Sequence, residues 1–326
     1  MPGSIGTPTE WAVFIGVVLV MLALDLGVFH RKSHAVSFKE AAVWSAVWVG
    51  LALAFSAWIY VSHGTTAGTE FLTGYVIEKS LSVDNIFVFV MIFAALRIPD
   101  VHQHRVLYWG ILSALVLRAV LIFAGAAAVA RFHWLLYVFG GFLVLTGAKM
   151  LWSIRKADGG EAEGPPKLLG WLRKVIPTTE RLDGARFFTR ETTADGRVRR
   201  VGTPLLLALV LVELSDVLFA VDSIPAIFAI TTDPFIVFTS NIFAILGLRS
   251  LYFLLAGLVD RFRYLKHGLA ALLVVVGVKM LVADVVKVPP ALSLAVIAAI
   301  LGAAVWASLA ATRREQAPAG SRDAAA

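Results

Sequence analysis

Apolar residues in this 326-residue chain come in runs of about twenty positions. A helix of that length crosses a hydrocarbon core roughly 30 Å thick. Nine such runs are present, at 11–29, 41–62, 72–96, 108–130, 134–154, 204–228, 235–257, 268–286 and 291–310. They predict an all-α polytopic membrane protein with nine transmembrane helices. The polar segments between the runs are short except for 155–203. In that stretch, residues 159–166 read as a flexible link and 167–182 as a short basic amphipathic helix. Residues 186–201 read as a hairpin turning at Asp195-Gly196. A segment of about 49 residues is too small for an independent core. It is expected to be a membrane-supported connector, with docking of a protein partner as the alternative.

Composition agrees with the pattern. The chain is 59% hydrophobic and 16% charged, whereas soluble domains average about 45–50% and 25%. So little polar surface excludes a water-soluble globule, a disordered chain and a coiled coil. The net charge of +7 does not point to nucleic acid, because the charges sit in short loops and not on one face. Their distribution sets an orientation. With the N-terminus outside, 22 of the 29 Lys and Arg fall on the cytoplasmic side, and the outer segments hold only Arg131 and Lys287. Setting aside the long loop leaves eleven against two, which predicts N-out and C-in. Glu10, with no Lys or Arg, precedes the first run, so no cleaved signal peptide is expected. The absence of cysteine removes thiol redox chemistry and thiolate metal ligation.

Two stretches share a motif: Glu78…Asp84-Asn85-Ile86 and Asp216…Asp222-Ser223-Ile224. Further along, Leu117-Arg118 matches Leu248-Arg249, Arg131-Phe132 matches Arg261-Phe262, and Gly147-Ala148-Lys149-Met150-Leu151 matches Gly277-Val278-Lys279-Met280-Leu281. Helices 3–5 and 6–8 therefore read as two copies of one unit. Each copy has three spans and no span lies between them, so the second enters from the opposite side. Inverted repeats recur in transporters, whose substrate site lies near the midplane. The expected division is a two-helix segment (1–71), the first repeat (72–154), the connector (155–203), the second repeat (204–286) and a last helix with a basic tail (287–326).

Six carboxylates fall inside spans: Asp25, Glu78, Asp84, Glu213, Asp216 and Asp222. Each costs roughly 2.5–3.5 kcal/mol at the bilayer centre if left unpaired. The deep bases are Lys79, Arg118 and Arg249. Lys149 and Lys279 lie near helix ends and are expected to snorkel. Three bases cannot neutralise six acids, and the excess favours a cation as ligand. Glu213 and Asp216, at i,i+3, share a helix face. Pro225 is expected to break its helix and free the Val221 carbonyl. Asn85 and Ser223 add neutral oxygens. Carboxylate, amide and carbonyl ligands suit Mg²⁺, Ca²⁺ or Mn²⁺. The same acids could relay protons, with Asp25, Arg118 and Arg249 as relay or ion-pair members. Pairs such as Glu78 with Arg249, or Asp222 with Arg118, could equally be structural salt bridges. Motifs of metalloproteases, serine hydrolases and P-loop NTPases are missing, so no enzyme is expected.

The stretches Glu78-Lys-Ser-Leu-Ser-Val-Asp84-Asn85 and Glu213-Leu-Ser-Asp216-Val-Leu-Phe-Ala-Val-Asp222-Ser-Ile-Pro225 closely resemble the TerC (tellurium-resistance-associated) family and its Alx branch. So do Thr239-Ser-Asn241 through Arg249-Ser-Leu-Tyr and Asp25-Leu-Gly-Val-Phe-His30. The resemblance implies a place in the LysE exporter superfamily and efflux of divalent metal, chiefly Mn²⁺, from the inner (plasma) membrane. It implies Glu78, Asp84, Glu213, Asp216 and Asp222 as metal-binding carboxylates, with the metal as cargo and no tightly bound cofactor. The partners expected are the bilayer and the cation. The alternatives are a membrane scaffold or assembly factor, and an oxyanion (tellurite) or amino-acid exporter using Arg118 and Arg249.

Overall fold

Long uninterrupted apolar runs leave the backbone no water to bond with inside a bilayer, so they fold as helices that satisfy their own N–H and C=O groups. The computed structural model describes residues 4–29, 37–132, 134–157, 166–192, 198–256 and 264–316. It is mostly helical: α1 (Pro8–Phe29), α2 (Phe38–Ala95), α3 (Asp100–Arg131), α4 (Leu135–Ala157), α5 (Pro166–Val175), α6 (Pro204–Phe228), α7 (Pro234–Leu246), α8 (Leu248–Leu255), α9 (Leu265–Leu281) and α10 (Pro290–Gln316). A two-stranded antiparallel ribbon, β1 (Phe188–Thr192) and β2 (Val198–Gly202), precedes α6. These strands flank the expected hairpin turn; Asp195 and Gly196 themselves lie outside the described residues.

Local signals mark several helix starts. Ser37 caps α2, its Oγ accepting the Glu40 N–H. Asp233 caps α7, accepting the N–H groups of Phe235 and Ile236, with Pro234 in the first turn. The same carboxylate accepts the Ile5 N–H at 2.6 Å, which ties the N-terminal segment to α7.

Among the described residues, five helices are long and apolar enough to cross a membrane, and six if the bent pair α7–α8 is one span. The difference from nine has physical causes. Two of the expected spans, 41–62 and 72–96, are fused in α2, which reverses at Gly64 with φ of +90°. The Phe55 and Phe71 rings lie 5.2 Å apart, and the hydroxyls of Tyr60 and Thr69 are 2.6 Å apart. Sixteen residues of straight helix would put the first pair about 24 Å apart. α1 (22 residues) and α9 (17 residues) stand outside that count although each is apolar along its length.

α6 is the most enclosed long helix: half of its most apolar window is buried (50%), against 22% or less in the other long helices. It packs on α3 and α2. α7 lies against α2 and is buried along nearly its whole length. α4 packs on α9 so tightly that a Cβ on Gly277 would lie 2.7 Å from the Gly140 carbonyl oxygen, and one on Gly147 would lie 2.7 Å from that of Ala270. The polar residues of interest therefore sit in the middle of four helices: the second arm of α2 (65–95), α3, α6 and α7.

Candidate cation site

The second arm of α2 carries Tyr75, Glu78, Ser82 and Asn85 at spacings of three, four and three, which puts them on one face. All four are buried, Glu78 to 1% exposure. Arg118, from α3, is equally buried, and it organises the centre. Its Nη1 donates to Glu78 Oε1, and its Nε and Nη2 donate to Asp216 Oδ2 and Oδ1 at 3.1 and 2.7 Å. One guanidinium thus bridges the two carboxylates that stand at the same place in the shared sequence motif, gripping Asp216 bidentately. Arg118 pairs with Glu78 and Asp216, and not with Asp222 as one expected pairing had it, because α3 packs along α6 and delivers it to Asp216. Arg249 is buried in the first turn of α8.

Glu213 shares the α3-facing side of α6 with Asp216, as its spacing predicts. It accepts a hydrogen bond from Ser113 Oγ, four residues beyond Trp109 and five before Arg118 on α3. Asp222 accepts a hydrogen bond from Thr146 of α4, while its Oδ1 is buried with no partner. Asp84 is half-buried, and it lies within electrostatic reach of Asp222 and of Lys266 on α9. Further buried atoms without a hydrogen-bond partner are Glu78 Oε2, Asn85 Oδ1, Ser82 Oγ, Ser223 Oγ, Tyr75 OH and both side-chain polar atoms of Asn241. Buried polar atoms are ordinarily satisfied, so this centre has hydrogen-bonding capacity that its own side chains do not use. Among the described residues no three carboxylate or imidazole groups converge closely enough to hold an ion together. Glu78 and Asp216 are engaged with Arg118, and Glu213 with Ser113. The side chain of Asp25 lies outside the described residues.

Pro225 does not break its helix. α6 runs through it to Phe228, and the next N–H, that of Ala229, bonds back to Pro225 O. Only one turn remains beyond Pro225, too little for its ring to bend a longer segment, although it still supplies no N–H to the Val221 carbonyl. The interrupted span is instead α7–α8, bent by 42° at Gly247. There Lys79 Nζ donates to the Ala244 carbonyl at 3.3 Å, and a Cβ on Gly247 would lie 2.7 Å from that ammonium nitrogen. Lys79 therefore places a positive charge on the carbonyl end of α7.

Sequence reasoning missed Ser113 and Thr146, whose hydroxyls are unremarkable in apolar helices and gain partners only through packing. It also missed Glu70, just before the third span. Glu70 accepts from Thr231 and lies within electrostatic reach of Lys279 and Asp233. Lys279 thus has a carboxylate facing it near its helix end.

The sequence model of the integral membrane protein TerC family matches residues 63–316. The chain is 63% identical over 306 residues to an uncharacterised membrane protein of Myxococcus xanthus, covering 94% of this chain and 93% of that one. It is 50% identical over 307 residues to the Escherichia coli K12 protein Alx, whose name calls it a membrane-bound redox modulator, covering 91% and 93%. A Rickettsia bellii membrane protein is 39% identical over 300 residues, covering 92% and 97%. No solved structure matches. Neither the family nor these names indicate a catalytic activity.

Proposed function

Because the chain belongs to the TerC family of multi-pass integral membrane proteins, we propose that it exports a hard divalent cation, Mn²⁺, across the inner membrane by alternating access. The observation that carries this reading is the buried acid-rich centre. Arg118 bridges Glu78 and Asp216, and oxygens without a hydrogen-bond partner remain on Glu78, Asn85 and Asp222. Carboxylate and amide oxygens suit Mn²⁺, Mg²⁺ or Ca²⁺. No cysteine is present to carry a thiol redox reaction, so the redox role in the relatives' name comes to this chain as the consequence of moving a redox-active metal.

In this reading nine spans run N-out to C-in, and helices 3–5 and 6–8 form an inverted repeat. Contact symmetry supports the repeat. Shifting by 130 residues carries Gly147 to Gly277 and Gly140 to Ala270, so the contact Gly140–Gly277 becomes Gly147–Ala270, which is also made. Such an exchange is what a two-fold axis between antiparallel α4 and α9 produces. A cation arriving at Asp84, Asp222 and Asn85 competes with Arg118 for Glu78 and Asp216. Release follows when the two repeats rock and protons replace the metal on the acids.

The test is flux. Proteoliposomes holding a Mn²⁺-quenched dye are expected to lose signal with the wild type and not with Asp84→Asn or Asp222→Asn, all three folding equally. Equal flux in the variants, or none in the wild type with a pH gradient of either sign, would overturn the reading.

A further inference from the structure

Outside the membrane-buried centre, the ribbon β1–β2 carries a second arrangement that cation export does not use. The pairing register sets Arg190 directly opposite Arg200, and strand alternation puts Phe188 and Val198 on the same face. Like charges directly opposed across two strands destabilise a ribbon. Here they are also positioned: the Arg200 guanidinium lies 4.2 Å over the Phe188 ring. Beside them a cavity of about 480 Å³ is lined by Asp183, Arg186, Phe188, Thr189, Arg190 and Arg200. Asp183 is committed, accepting from Thr189 Oγ1 at 2.8 Å and lying 3.5 Å from Arg186. Three guanidinium groups against one carboxylate leave the cavity positive.

The ribbon is anchored where α3 and α6 begin. The Thr203 N–H bonds the Phe187 carbonyl at 2.9 Å, its Oγ1 bonds the Arg186 carbonyl at 2.7 Å, and Arg105 of α3 lies 5.1 Å over the Phe187 ring. Thr203 is fully buried and the next residue opens α6. The basic face therefore stands at the level where a span enters the bilayer. Its apolar members are open to their surroundings, Phe188 at 43% and Val198 at 66%. Guanidinium pairs with adjoining exposed apolar side chains fit a surface that meets phosphate and hydrocarbon together.

We propose that Arg186, Arg190 and Arg200 form a binding site for a phosphate ester, presented by the headgroup of an anionic phospholipid of the leaflet next to the ribbon. The phosphate oxygens take the forks of Arg190 and Arg200 and relieve their repulsion, while Phe188 and Val198 lie against the glycerol and acyl region. The site clamps the connector to the membrane at the mouth of α6.

Native mass spectrometry and thermal unfolding of the full chain in a neutral detergent test this with phosphatidylglycerol, phosphatidylcholine and inorganic phosphate as probes. Phosphatidylglycerol is expected to bind one-to-one and raise Tm, phosphatidylcholine to do neither, and Arg190→Gln with Arg200→Gln to weaken the first at least tenfold. Arg173→Gln, a basic change on α5 away from the cavity, is expected to leave it unchanged. Unliganded, the double variant is expected to unfold no earlier than wild type, because a repulsive pair is gone. If it folds poorly, the single variants decide by the same criterion. Equal weakening by Arg173→Gln would reduce the effect to diffuse attraction and overturn the site, as would unchanged binding in the double variant. Inorganic phosphate binding as well as phosphatidylglycerol, with the same Arg dependence, would keep the phosphate site and overturn the lipid as its source.

Discussion

At the scale of single residues the fold hangs on Arg118. It is 1% exposed and carries Glu78 and Asp216 at once. Removing one member of a buried ion pair costs about 3–5 kcal/mol, because the partner charges are left behind without compensation. Arg118→Gln strands two carboxylates, so it is expected to lower the yield of folded protein and the Tm in detergent. Adding Glu78→Gln and Asp216→Asn to it is expected to recover part of the loss, since nothing charged then remains to compensate. Arg118→Gln as stable as wild type would show that the triad does not hold the helices together. An anion exporter predicts a different result: Arg118→Gln would fold and handle Mn²⁺ but lose oxyanion resistance. The acidic excess was legible from the count of intramembrane charges. The partners were not, because Arg118 could reach several acids and only the packing of α3 along α6 selects Asp216.

Elements show the same division between composition and geometry. Eight of the nine expected apolar runs coincide with single helices, with the bent pair α7–α8, or with an arm of α2; the eighth run, 268–286, is helical only to Leu281. Hydropathy reports where a segment is apolar, and the structure agrees because apolar backbone must be helical in lipid. It does not report where a helix bends. Proline was the sequence signal for a break, yet Pro225 sits one turn from the end of α6 and leaves it intact. The breaks fall at glycines. Gly64 takes a φ that a side chain resists, and Gly247 makes room for Lys79. The close packing of α4 on α9 is also glycine-dependent. Gly277→Val would drive its Cβ to 2.7 Å from a backbone carbonyl of α4, which cannot swing aside as a side chain would. Overpacking costs about 1–3 kcal/mol. The variant is therefore expected to lower Tm and, under the alternating-access reading, to slow flux while Gly16→Val, facing open space, does neither.

For the whole molecule the decisive question is orientation, and the chain is suited to answering it. It has no cysteine, so a single introduced thiol reports its own side without background. Positive charge is concentrated in the segments assigned to the cytoplasm and nearly missing from the others. The proposed inverted repeat makes the same demand independently: three spans in each copy, joined by the 155–203 connector, would require the copies to face opposite ways. Lys287→Cys, between α9 and α10, is expected to react with a membrane-impermeant maleimide added outside intact cells. Arg97→Cys, between α2 and α3, and Arg186→Cys, before β1, are expected to react only after the membrane is opened. All three positions are open to reagent in the folded chain or lie in loops between helices. Labelling of Arg97→Cys and Lys287→Cys from the same side would require an odd helix to be lost between them. It would overturn the proposed two-fold relation of α4 and α9, and with it the proposed midplane site that pairs Asp84 with Asp222. Labelling from opposite sides, with Lys287 outside, leaves the ribbon and its arginines facing the cytoplasmic leaflet. Under the export reading, anionic headgroups and the proposed cargo are then on the same side as the connector.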